Sequence, residues 1–254
     1  MNSTRLSAFK RGPAFAIEVD GTPLTAHEGE TIATALLAII AFARAVTTLP
    51  ISGPMCLVDC VDYPFTDVAA YVPHDYIWMY PAILLMLAAL VLFVALHASA
   101  APARSVFGQA ALTFASMSAA LILIDYYLQI AVMQPSIVRG ESEGLALLTQ
   151  YNAHGIFIAL EDMGYFLMGI AFLFAAMLFG GRKGLERALY WVLLVGGLAT
   201  VAGYFVLYAI YGINLEYRYE ILSLSLAWAT LCVAGGLLAF WFRRRLRAPQ
   251  IATA

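Results

Sequence analysis

The chain has 254 residues, of which 63% are hydrophobic and 12% charged, with a mean hydropathy of +0.83; soluble domains carry about 25% charged residues, so a soluble globular protein is excluded. The 14 Lys and Arg against 16 Asp and Glu leave no basic surplus for a nucleic-acid surface. Three cysteines, Cys56, Cys60 and Cys232, are too few for a disulfide scaffold or a four-thiolate iron–sulfur site. What remains is an all-α transmembrane fold, read as a six-helix bundle preceded by a short β-hairpin-like segment.

Residues 1–30 form a polar amino-terminal segment. The run AFAIEVDGTPLTAHEGETIATALLA alternates, turns at Asp20-Gly21, alternates again and opens a helix after Gly29-Glu30-Thr31, which is the grammar of a hairpin. Over residues 14–37 it resembles the opening of the 2Fe-2S ferredoxin-like subunits of the sarcosine oxidase and hydrogen cyanide synthase type, in which a VDG, GET, ALLA pattern precedes the cluster loop. Those families continue into four closely placed cysteines. Here an apolar run follows instead, and Cys56 and Cys60 have no two further partners nearby, so neither a cluster nor another cofactor is expected. The first apolar run begins only at Ile32, behind the acidic Glu28 and Glu30, with no small-residue cleavage site after a basic start, and is read as a retained segment rather than a cleaved signal.

A membrane-crossing helix needs about 20 predominantly apolar residues. Stretches of that kind place spans at about 31–50, 77–98, 106–132, 154–180, 187–211 and 219–242, a transmembrane domain over 31–247 and a tail at 248–254. The first span is the weakest and carries Arg44 near one end. With both termini cytoplasmic, the inner side holds Arg5, Lys10, Arg11, Arg104, Arg182, Lys183, Arg187, Arg243, Arg244, Arg245 and Arg247, against Arg44, Arg139 and Arg218 outside. That asymmetry obeys the positive-inside rule. Omitting the first span would move Arg5, Lys10 and Arg11 to the wrong side. Tyr71, Tyr76, Trp78 and Tyr80 fall at the outer interface and Trp241 at the inner one, where amphipathic rings concentrate. The expected location is a prokaryotic cytoplasmic membrane, with the lipid bilayer as partner and no nucleic acid.

The outer loop, 51–76, is broken by Pro54, Pro64 and Pro73 and carries Asp59, Asp62, Asp67 and Asp75. Cys56 and Cys60 lie in it, either as a local disulfide or as two thiols. Cys232, within the last span, reads as a small packing residue. On VDYPFTDVAAYVPHDYIWMYPA, IDYYLQIAVMQPS and QYNAHGIFIALEDMGY, residues 55–242 resemble a family of prokaryotic multi-spanning integral membrane proteins. The resemblance implies the membrane fold and brings no substrate.

Polar residues inside the spans carry the functional reading. A charged side chain near the bilayer centre costs roughly 2.5–3.5 kcal/mol on insertion scales, so Asp125, Glu161 and Asp162 each require a partner, water or a bound proton. Spans running in opposite directions bring Asp125 and Glu161 to similar depth, roughly 10 Å inside the outer ends at about 1.5 Å per residue. His154, Ile158, Glu161 and Tyr165 share one helical face with Asp162 on its flank, and Asp125 and Gln129 share another. Below them FLMGIAFLFAAMLF is unbroken and apolar. This predicts an outward-facing pocket, capped by the outer loop, in which Asp125, Gln129, His154, Glu161, Asp162, Tyr165 and Arg44 bind or pass a small ligand, proton or cation. Three acids against the single base Arg44 leave an excess that low dielectric does not tolerate bare.

Two other readings stand beside it. Arg44 paired with Asp125 or Glu161 makes the same residues a structural or assembly protein's register pins. His154 with the acids would make a membrane-embedded metal enzyme, although His-x6-Glu-Asp is no recognised zinc pattern; no catalytic set or metal ligands are assigned. Small residues at four-residue spacing, Ala111, Ala115 and Ala119, Ala199 and Gly203, and Cys232 and Gly236, are read as helix-packing faces. The arginines at 243–247 form a basic rim favouring anionic headgroups.

Overall fold

A computed structural model describes residues 14–19, 22–27, 34–40, 43, 51–141, 143–180 and 183–247. Near the amino terminus, β1 (Ala14–Val19) and β2 (Thr22–His27) pair antiparallel, with Ala14 opposite His27 and Val19 opposite Thr22. Asp20 and Gly21, where the sequence places the turn, lie outside the described residues. The first expected span also lies largely outside them. Its residues 34–40 and 43 are helical, and Thr34 and Ala38, four apart on one face, are buried while Leu36, Ile39 and Ile40 are exposed. Arg44 lies outside the described residues.

Seven helices follow among the described residues: α1 (Met79–Ala98), α2 (Ser105–Leu128), α3 (Gln134–Arg139), α4 (Leu145–Leu148), α5 (Ile156–Met177), α6 (Leu185–Tyr211) and α7 (Tyr217–Arg247). Five segments are long and apolar enough to cross a membrane: His74–Ala98, Pro102–Arg139, Ile156–Met177, Leu185–Asn214 and Tyr217–Arg245. The second does not stop at 132. It passes through a π turn, Gln129–Met133, into α3. Pro135 supplies no N–H to close a regular turn, and a π bulge absorbs the mismatch without breaking the rod.

The helix α5 is the centre of the bundle, packed against α2, α6 and α7, while α1 lies against α2 and α6 against α7. Its close neighbours are set by glycine. A Cβ on Gly164 would stand 2.5 Å from Ile122 Cδ1 of α2, and one on Gly196 of α6 would stand 2.2 Å from Thr230 Oγ1 of α7. Gly197 does the same for α5 and α6, where a Cβ would stand 2.7 Å from the Gly169 backbone oxygen. Among the small residues singled out from sequence, Ala111, Ala115 and Ala119 are buried and Gly203 faces Leu222. Gly236 is a correction: a Cβ there meets nothing within 4 Å, because α7 turns that position away from its neighbours.

The outside of the bundle is apolar. Leu84, Leu87, Val91 and Val94 on α1 and Val195, Leu198, Phe205 and Val206 on α6 are all exposed, the inverse of a soluble surface and a match to hydrocarbon.

The two ends differ. At one, Arg104 donates to the carbonyl oxygens of Met177 (3.1 Å), Leu178 (3.0 Å) and Gly180 (2.6 Å), satisfying the carbonyls left over at the end of α5. Arg245 donates to Ser99 O at 3.2 Å and lies 4.0 Å above the Trp241 ring. At the other end the 51–76 loop folds over the helix ends through short 3-10 turns. Its Cys56 and Cys60 are joined as a disulfide, and Phe65, Val68 and Tyr76 are buried. Ser52 Oγ donates to Tyr151 O at 2.6 Å, and Tyr217 OH donates to Gln150 O at 3.1 Å. Loop, α4 segment and the start of α7 are thereby tied into one cap.

Candidate functional site: a buried carboxyl cluster beneath the cap

The site begins with helix periodicity. On α5, Glu161 and Tyr165 are four apart on the buried face, and both are 0% exposed. On α2, Asp125 and Tyr126 point into the same space and are 2% and 0% exposed. On α7, the spacing Glu220, Leu224, Trp228 puts an acid at the start of that helix's core face, and Glu220 stands within electrostatic reach of Glu161, Asp125 and Asp162. Glu161 lies five residues, or about 8 Å, inside the start of α5. Around Glu161, three helices thus set Asp125, Asp162 and Glu220 within electrostatic reach at the loop end of the bundle.

The hydrogen bonds fix a direction. Trp228 Nε1 donates to Tyr165 OH at 3.0 Å, and an indole N–H can only donate. Tyr126 OH gives its one proton to Glu161 Oε1, so in the 2.9 Å bond between the two phenols Tyr165 OH is the donor. The chain runs Trp228, Tyr165, Tyr126, Glu161 and ends on the carboxyl oxygen. Glu161 Oε2, Asp125 Oδ2 and Asp162 Oδ1 are buried without a hydrogen-bond partner. Among the described residues His74 pairs with Asp75 and Arg218 with Glu216, and neither pair involves these acids.

Other sequence-derived candidates fall elsewhere. Gln129 sits in the π turn and is used by the cap: its Nε2 donates to Leu148 O at 2.6 Å and its Oε1 accepts from Gln150 N at 3.3 Å. His154 is not on the α5 face. The helix begins at Ile156, and Gly155 at its N-cap is extended (φ −80, ψ 177), so the face drawn from His154 breaks there. His154 is exposed, with its backbone N–H donating to Asn152 Oδ1 at 3.1 Å. Asp162 lies on the flank of α5 and lines a cavity of about 360 Å³ between α5 and α6, separate from the Tyr126–Glu161 contact. Arg44 lies outside the described residues.

Above the cluster, Asp75 Oδ2 accepts from Tyr151 OH at 3.2 Å. Burial, with the charge of Asp75 adding to it, pushes the Tyr151 phenol well above the ordinary tyrosine range.

Sequence reasoning missed Glu220, Tyr126 and Trp228 as members of the site. Counting charge-free stretches makes Glu220 a span boundary, whereas its spacing to Leu224 and Trp228 was the available signal. Nothing local marks Tyr126 over its exposed neighbour Tyr127; only the packing of α2 on α5 separates them. Among the described residues no three His, Cys, Asp or Glu side chains converge as a metal site.

Five apolar spans enclosing an acidic cluster at one end define a multi-spanning helical membrane protein. No family profile, curated protein or solved structure matches this chain.

Proposed function

We propose that this chain is a prokaryotic inner-membrane protein that takes up a proton or small cation in the carboxyl cluster from the loop end. One observation carries the reading: Glu161 is fully buried, one oxygen is held by Tyr126, Glu220 stands against the carboxyl, and Asp125 and Asp162 lie within electrostatic reach. Four carboxyls at this depth cannot all stay charged and uncompensated, so the cluster holds protons or attracts a cation. The orientation follows charge and redox chemistry. Arg104, Lys183 and the arginines at 243–247 gather at one end, which the positive-inside rule makes cytoplasmic. The disulfide loop then lies on the oxidising side.

The test is infrared spectroscopy of the intact protein in nanodiscs. The reading expects a protonated-carboxyl band that responds to pH or to added sodium and is missing in Glu161→Gln. The second reading, a structural pin, is supported by the hydrogen-bond chain from Trp228 to Glu161, which ties three helices together. It predicts a carboxyl band indifferent to both titrations and a Glu161→Gln variant altered only in stability.

A further inference from the structure

The cavity between α5 and α6 has a composition distinct from the closed cluster beside it. Its walls include Phe166, Tyr204 and Tyr208, its depth holds Asp162, and its mouth carries His154 and Glu216; among the described residues no Lys or Arg lines it. The aromatic wall is ordered. Tyr204 and Tyr208 follow one another by one helical turn with rings stacked at 6.0 Å, and Phe166 meets Tyr204 edge-on at 5.7 Å. Tyr219 braces Tyr204 from behind at 5.1 Å.

The two acids differ. Glu216 Oε2 already accepts from Arg218 Nη1 at 3.1 Å, whereas Asp162 Oδ1 is buried with no partner. Asp162 lies six residues, about 9 Å, inside the start of α5. The cavity is flanked by Met163 at 52%, Tyr208 at 50% and Ile213 at 91% exposure, so it opens sideways where apolar side chains meet the bilayer. A ligand that fits must carry positive charge at the depth of Asp162 and an apolar body toward the lipid.

We propose that this groove is a binding site for a lipophilic organic ammonium, with Asp162 as its counter-ion and Tyr204, Tyr208 and Phe166 as its aromatic wall. An ammonium suits both components: a carboxylate in a partly desolvated site binds it strongly, and aromatic faces attract it further by cation–π interaction. Among the described residues no three His, Cys, Asp or Glu side chains converge to hold a bare metal ion, and the aromatic wall gives it nothing. The volume lies within the range of small-molecule pockets. The inference rests on the cation-binding reading above but uses a different cavity, the one faced by Asp162 at the flank of that cluster.

The experiment titrates the full-length protein in phosphatidylcholine nanodiscs with 2-phenylethylammonium, and in parallel with the uncharged 2-phenylethanol, by calorimetry. Saturable ammonium binding, at least tenfold tighter than the alcohol, is expected. Asp162→Asn should weaken it at least tenfold, Tyr204→Leu several-fold and Glu161→Gln less than twofold. Equal binding of ammonium and alcohol, no saturable binding, or an Asp162→Asn variant that binds normally overturns the proposal. Should Asp162→Asn not fold, the ammonium-to-alcohol ratio on the unaltered protein decides. Repeating the titration with phosphatidylethanolamine in the disc identifies the source: competition assigns the ammonium to a lipid headgroup, and its absence to a free amine, both supporting the site. Failed ammonium binding alongside a responsive Glu161 infrared band sinks this inference alone; Asp162-dependent binding with a silent Glu161 sinks only the cluster reading.

Discussion

Replacing Tyr126 by Phe removes one hydroxyl from the middle of the Trp228–Tyr165–Tyr126–Glu161 chain and changes little else in shape. Two hydrogen bonds go: the one Tyr126 gives to Glu161 Oε1 and the one it receives from Tyr165. A buried hydrogen bond contributes about 1 kcal/mol net, and interhelical bonds inside membranes average about 0.6 kcal/mol. The loss is therefore about 1–2 kcal/mol, on the order of a tenfold change in the folding equilibrium. The variant alone does not isolate the bond, so the assay is a double-mutant cycle with Glu161→Met, read by reversible SDS-induced unfolding in mixed micelles. Each single change strands a buried partner, while the double change strands neither member of the Tyr126–Glu161 pair. The double variant should thus be less destabilised than the sum by about 0.6 kcal/mol or more. Additivity within about 0.3 kcal/mol would refute the donor chain, and with it the placement of Glu161 at its end.

Four further outcomes follow from the same geometry. Gly164→Ala should destabilise the bundle because its Cβ would press on Ile122 Cδ1 at 2.5 Å, and Ile122→Ala in the same chain should recover part of the loss in thermal stability despite deleting core volume. Arg104→Ala strands three carbonyl oxygens at the end of α5 and should lower stability by about 1–2 kcal/mol, with Arg104→Lys recovering only part because an ammonium cannot reproduce the planar fork. Maleimide labelling of the denatured chain should count one thiol, Cys232, before reduction and three after, given the bonded pair Cys56–Cys60; three before reduction contradicts the cap as described. Reporters fused at residues 100 and 184 should read cytoplasmic and one at 143 external, and the opposite pattern would invert the proposed orientation.

The amino-acid sequence by itself determined that the chain belongs in a membrane and roughly where its apolar rods run. Hydrocarbon imposes a length and a lack of charge on each crossing segment, and both are local properties of sequence. It also marked Asp125, Glu161 and Asp162 as expensive, since an acid inside an apolar run is visible wherever the run goes. Which acids share a space was decided only by tertiary packing. Glu161 reaches Tyr126, Tyr165 and Trp228 because glycines at 164 and 196 let helices approach, a distance no single helix encodes. Asp162, the next residue, is rotated about 100° by the same helix and faces a separate groove with Tyr204 and Tyr208. His154 left the site because the chain is still extended at Gly155, and Gln129 because the π turn before Pro135 points it into the cap. Glu220 entered from the far end of the chain. Periodicity assigns a residue to a face of its own helix, but the partner of that face is chosen by the fit of whole helices against each other.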